Sequence, residues 1–129
     1  GIGLMATWAS EPVLFLDMLP TGCHVTTLGA DQPGEAEVDA GLVRDALFVC
    51  DDRELAVQQG AVGGAGLGPE VIDAELGEVI AGRHPGRTSA EEVTVYGAVG
   101  LAFQDLVTAW QVYQRALHAG VGEDFEFLQ

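Results

Sequence analysis

The chain reads as an α/β protein built on a parallel sheet, and three observations carry that reading. Short apolar or β-branched runs of strand length recur at residues 1–6, 23–28, 46–50 and 93–96. Their hydrophobicity is near-continuous rather than alternating, as in strands buried on both faces. Helix-compatible segments separate them, and a strand, helix, strand order at this spacing makes neighbouring strands parallel. At 129 residues the length suits one domain with a core of its own.

Gly1-Ile2-Gly3-Leu4-Met5-Ala6 opens as if in mid-strand, with no initiator methionine and no charged leader, and is expected to be the start of a truncated or processed chain. A sheet lacking its first strands would leave an edge and apolar helix faces uncovered, which predicts self-association. Residues 12–19 predict one or two helical turns, and residues 38–44 a short helix with Asp39 as its cap. The third strand ends in Asp51-Asp52, and residues 53–59 form a helix stopped by the glycine-rich run 60–69, expected to be a flexible connector. A longer helix is predicted from about residue 69 to 81, with Pro69 near its start and Val71, Ile72, Leu76, Val79 and Ile80 on one stripe. Residues 82–87 break into a loop, and Thr88, Ser89, Glu91 and Glu92 supply capping and acidic groups before the fourth strand. Residues 99–119 form the longest helix. It carries Leu101, Phe103, Leu106, Trp110, Val112, Tyr113 and Leu117 on more than one face, which places it between two layers or two subunits. In the tail, Phe125 and Phe127 alternate with acids, as in an edge strand.

Twenty acidic side chains against five basic ones give a formal net charge of −15. Such a surface repels phosphate backbones and anionic headgroups, so neither nucleic acid nor a membrane surface is an expected partner. With no apolar run of membrane-spanning length and no signal-peptide pattern, a soluble, cytoplasmic protein is expected. All five basic residues are arginine, so no lysine is available for a Schiff base or a G-K-[ST] phosphate loop. Cys23 and Cys50 read as buried structural thiols. His24, His84 and His118 lack ligand spacing, and no metal site is expected.

Gly1-Ile2-Gly3-Leu4-Met5-Ala6 has the spacing G-x-G-x-x-A, but neither the preceding strand nor the following helix that a dinucleotide fingerprint needs. The more informative segment is Leu28-Gly29-Ala30-Asp31-Gln32-Pro33-Gly34, which places one carboxylate on a turn leaving a strand. In open α/β sheets ligands bind outside the carboxyl ends of the strands. Asp31 is therefore the first functional candidate, against the alternative that it only forms the turn. Asp51-Asp52 and Glu91-Glu92 read as solvated or capping pairs.

These segments together resemble the ornithine cyclodeaminase/mu-crystallin family, specifically its C-terminal portion. The resemblance runs through Thr7 with Glu11-Pro12-Val13-Leu14, then from Gly22-Cys23-His24 through Asp31-Gln32-Pro33-Gly34 to Glu37. It continues through Glu75-Leu76-Gly77-Glu78-Val79-Ile80, Gly86-Arg87-Thr88-Ser89 and Thr94-Val95-Tyr96-Gly97-Ala98-Val99-Gly100 to Leu106. The resemblance implies part of a Rossmann-like NAD or NADP domain over residues 1–98, and a C-terminal helix and tail, residues 99–129, belonging to a dimerisation domain. It implies a small amino-acid or imine substrate, hydride transfer at the substrate carbon, and a homodimer. It makes Asp31 the acid/base beside the nicotinamide and places Thr7, Gly29, Ala98, Val99 and Gly100 against the cofactor. Glu35 stands where many members carry a basic residue and Ala98 where many carry serine, departures that point away from ornithine. The alternative is a non-catalytic mu-crystallin-like binding protein or a truncated interaction module.

Overall fold

A computed structural model describes residues 1–126 as two compact units that divide between Val99 and Gly100. The first holds a wholly parallel five-stranded sheet with strands β1 (Ile2–Met5), β2 (His24–Thr27), β3 (Leu47–Cys50), β4 (Ala74–Glu75) and β5 (Thr94–Gly97), in the order β1-β2-β5-β3-β4. The register sets Val25, Val95 and Phe48 directly across from one another on β2, β5 and β3, and all three are buried. Helices α1 (Ala40–Asp45), α2 (Arg53–Gln58) and α3 (Ala61–Gly64) add Leu42, Val43, Ala56, Ala61 and Val62 to this core, with α4 (Leu76–Ile80) following β4. Asp39 caps α1 as its sequence position predicts, accepting from the N–H groups of Gly41 (2.8 Å) and Leu42 (3.0 Å). Asp52 caps α2 by accepting from Leu55 N–H at 2.9 Å.

Three expectations about the first unit are corrected. The single helix over residues 69–81 is a 3-10 turn at Pro69–Val71, then β4, then α4. Asp73 causes the interruption: its carboxylate accepts from Phe48 N–H at 2.7 Å while its own N–H donates to Phe48 C=O at 3.0 Å, joining the chain to β3. The helix over residues 12–19 is reduced to the 3-10 turn Leu16–Met18, because Val13 and Leu14 both donate to the carbonyl of Glu37, and Leu14 bridges in parallel to Val38. The glycine-rich run is no loose connector, since α3 forms within it with Ala61 and Val62 buried.

The second unit carries α5 (Ala102–Ala119), three residues shorter at its start than expected; Gly100 just ahead of it has φ +93°. It ends at Gly120, φ +63°, with Val121 N–H donating back to Ala116 C=O, a left-handed cap of the kind glycine favours. Phe103, Leu106, Trp110, Tyr113 and Leu117 recur along α5 at alternating spacings of three and four, and all are exposed. Residues 121–126 form no strand, and Phe127 lies outside the described residues. Among the described residues no helix is long and apolar enough to cross a membrane.

Because every pairing is parallel, the carboxyl ends of β1, β2, β5 and β3 open at one edge of the sheet. That edge brings together segments that lie up to 90 residues apart in sequence, from Thr7 to Gly97.

Candidate functional site

The centre of the edge is Glu37, a carboxylate with no exposed surface. Oε1 accepts from the backbone N–H of Thr7 and from the Thr7 hydroxyl at 2.8 Å. Oε2 accepts from the Thr27 hydroxyl at 2.6 Å and from Gly29 N–H at 2.8 Å. Burial pushes this carboxyl toward protonation, but the bonds from Thr27, Thr7 and Gly29 outweigh it and hold it below the ordinary glutamate value. One side chain therefore ties the segment after β1 to the end of β2 and to the loop beyond it.

That loop carries Asp31. Leu28 N–H donates to Met5 C=O and Ala36 N–H to Ala9 C=O, both at 2.9 Å, so both stems are fastened to the segment around Thr7. Between them Asp31, Gln32, Pro33 and Gly34 are exposed, and Gly34, φ +90°, reverses the chain. Asp31 N–H faces the Glu35 carboxylate at 3.4 Å. Gly29 admits no side chain, because a Cβ there would strike the Thr7 carbonyl and Glu37 Oε1.

The segment after β5 lies beside the same stems. Ala98 N–H donates to Thr27 C=O at 3.1 Å and Val99 N–H to Asp51 Oδ2 at 3.0 Å. Asp51 and Asp52 thus hold backbone, as capping residues do. Of the expected site residues, Thr7, Gly29, Asp31, Ala98 and Val99 are gathered at one strand-tip edge, while Gly100 is the first residue of the second unit. Glu37 was not singled out by the sequence reading as a site residue, although an acid between apolar Ala36 and Val38 is the available signal.

At the opposite ends of the strands, His24 lies on β2 between two hydroxyls. Arg87 donates to Thr94 Oγ1 at 3.1 Å, leaving the Thr94 hydroxyl hydrogen for His24 Nδ1 at 2.7 Å, and His24 Nε2 then donates to Thr26 Oγ1 at 3.2 Å. Burial, and secondarily the Arg87 charge, lower the His24 pKa below 6.5. The folded protein binds this proton less readily than the unfolded chain does. The associated stability is present above about pH 6.5 and is lost as pH falls toward the lowered folded value. His24→Gln is expected to reduce the fall in melting temperature between neutral pH and about pH 5. An unchanged fall, measured by thermal denaturation at both pH values, would remove His24 as its source.

Comparison with known proteins places the chain in a family and matches its fold. A sequence model described as the ornithine cyclodeaminase/mu-crystallin family matches residues 2–120. Alanine dehydrogenase of Archaeoglobus fulgidus is 39% identical over 127 residues, which cover 95% of this chain and 39% of the relative. The solved structure of an archaeal alanine dehydrogenase dimer with bound NAD superposes with a TM-score of 0.89 at 37% identity, over 98% of this chain and 41% of the other. The Δ1-pyrroline-2-carboxylate reductase of Thermococcus litoralis, in complex with NADH and L-proline, gives a TM-score of 0.86 at 32% identity, over 96% and 40%. The chain thus spans about two fifths of the length of these relatives.

Proposed function

The chain belongs to the ornithine cyclodeaminase/mu-crystallin family, and from that premise we propose that it forms the substrate-facing part of an NAD(P)-dependent site interconverting amino acids and imino acids. The observation that carries this reading is the exposed Asp31 carboxylate on a loop fastened to Thr7 and Gly29 at a parallel strand-tip edge. The residues present suit the nicotinamide side of such a cofactor: an exposed Thr7, Gly29 packed directly against the Thr7 carbonyl, and the Ala98-Val99 segment alongside. No phosphate-binding loop is offered by Gly1-Ile2-Gly3-Leu4-Met5-Ala6, because Ile2–Met5 is strand β1.

When bound, the nicotinamide supplies a hydride acceptor or donor at the substrate α-carbon. Asp31 takes a proton from the substrate ammonium, freeing the nitrogen lone pair to form C=N as hydride leaves. In the reducing direction hydride adds at the iminium carbon, and the protonated Asp31 returns its proton to the amine nitrogen so formed, which regenerates the carboxylate. Oxidation thus converts an amino acid and NAD(P)⁺ to an imino acid, NAD(P)H and a proton. Glu35 and Ala98, with the alanine dehydrogenase and pyrroline-2-carboxylate reductase relatives, favour this exchange over cyclising deamination of ornithine. The exposed apolar seam of α5 is read as part of a dimerisation element, a reading supported by similarity to an alanine dehydrogenase solved as a dimer. The test is nicotinamide absorbance with the full-length protein, NAD(H) or NADP(H), and a panel of small amino and cyclic imino acids. Turnover that depends on both partners is expected. Saturable NADH binding with no turnover across the panel would instead support a non-catalytic binding protein.

A further inference from the structure

A carboxylate taken wholly out of water destabilises a fold unless donors match its charge. The four donors bonded to Glu37 are two backbone N–H groups and two hydroxyls. They are distributed so that each oxygen receives one backbone N–H, from Thr7 on Oε1 and from Gly29 on Oε2. Hydroxyls can rotate and accept instead of donate, but a backbone N–H cannot. The ionised carboxylate offers a full-strength acceptor at both positions. A glutamine in either orientation would present an N–H to one of them, and a protonated acid would accept from one of them through a weaker hydroxyl oxygen.

We propose that Glu37 is a positioning residue for the strand-tip site: its ionised carboxylate sets the Thr7 segment and the Asp31 loop relative to one another. The inference rests on reading Thr7 and Asp31 as site residues. Two steric observations support it independently of the hydrogen bonds. A Cβ at Gly29 would strike both the Thr7 carbonyl and Glu37 Oε1, so the first stem of the Asp31 loop already lies at closest approach to the Thr7 segment. A Cβ at Gly64 would strike the Glu35 carbonyl, so α3 lies directly against the second stem. The loop is pinned at both stems and exposed between them, and the position of Asp31 is inherited from the stems. Ala36 and Val38, flanking Glu37, are themselves buried, which fixes the side chain that does the pinning.

The test is Glu37→Gln in the full-length protein, read in two ways. Without cofactor, amide hydrogen exchange is expected to quicken by about tenfold at Thr7 and Gly29, the loss of about one hydrogen bond's worth of protection, with little change in β3. In turnover at a temperature where the variant is folded, kcat is expected to fall by about 10²-fold, the scale of a roughly 1 Å misplacement, and KM for NAD(P)H to rise. A lower melting temperature with exchange at Thr7 and Gly29, kcat and KM all unchanged would overturn the proposal, leaving Glu37 a stabilising group only. Asp31→Ala measured alongside separates the two readings. If it leaves turnover intact, the site assignment fails; if it abolishes turnover while Glu37→Gln changes neither parameter, only the positioning role fails. Should Glu37→Gln not fold, Thr27→Val removes one hydroxyl donor while keeping both N–H bonds. Faster exchange at Gly29 and a drop in kcat of about threefold would uphold the proposal, the scale of one weak hydrogen bond; no change in either would overturn it.

Discussion

Replacing Phe48 by alanine is expected to lower the stability of the protein by about 3–5 kcal/mol, the range for deleting a buried aromatic ring. That is a large share of the ~5–15 kcal/mol that holds a typical domain folded. Phe48 is fully buried at the middle of β3, opposite Val95 in the central row of the core. Its cost belongs at the upper end of the range, because the backbone around it is held in place: Asp73 bonds both its N–H and its C=O. A site that cannot collapse retains its cavity. The ring also fills the space in front of β5, since a Cβ at Gly97 would lie 2.7 Å from its Cζ. The void would therefore open beneath the segment leading to Ala98 and Val99. Chemical denaturation should show a lower midpoint with an unchanged slope, and Phe48→Leu should recover part of the loss. A cost below about 1 kcal/mol would show that the ring is not packed as described.

The same central row explains which parts of the fold were legible in the sequence. β2, β3 and β5 stand out because they are short β-branched or aliphatic runs between turn residues, and local composition is enough to find them. Asp39 and Asp52 are legible because a cap acts within three residues of itself. β4 is not legible: Val71, Ile72, Leu76, Val79 and Ile80 repeat at helical spacing, and what breaks the helix is Asp73 meeting Phe48 from 25 residues away. Arg53 reinforces that join by donating to Ile72 C=O at 2.8 Å. The glycine run misleads in the same way. Its residues look permissive in isolation, but Gly63 and Gly64 lack side chains because the carbonyls of Val57 and Glu35 occupy that space. At the proposed site, turn chemistry leaves Asp31 open between a turn former and a functional carboxylate, and the family resemblance tips the balance. Glu37 is not legible, because its meaning lies in partners 8, 10 and 30 residues away that only the completed sheet brings together.

Asp31→Ala is expected to reduce kcat by about 10²–10⁴-fold, the usual contribution of a positioned acid or base, while leaving NAD(P)H affinity near its original value. The separation follows from the structure. Asp31 lies in the exposed part of its loop, where its own N–H faces the Glu35 carboxylate and Glu35 N–H donates to Gln32 C=O at 3.2 Å, and its carboxylate is not among the groups bonded to Glu37. The carboxylate therefore supports neither the Glu37 cluster nor the core, and its loss should move the melting temperature little, as for most exposed positions. Asp31→Asn keeps the size and the turn-forming capacity but cannot take up a proton, so it should be nearly as inactive as the alanine variant. A group that only formed the turn would behave in the opposite way, with asparagine fully active. Because the position is open to solvent, added formate or acetate should restore part of the activity of Asp31→Ala in proportion to its concentration, and none of that of Glu37→Gln. Asparagine-variant turnover within about threefold of the parent, a difference too small for a lost general base, would remove Asp31 from the chemistry.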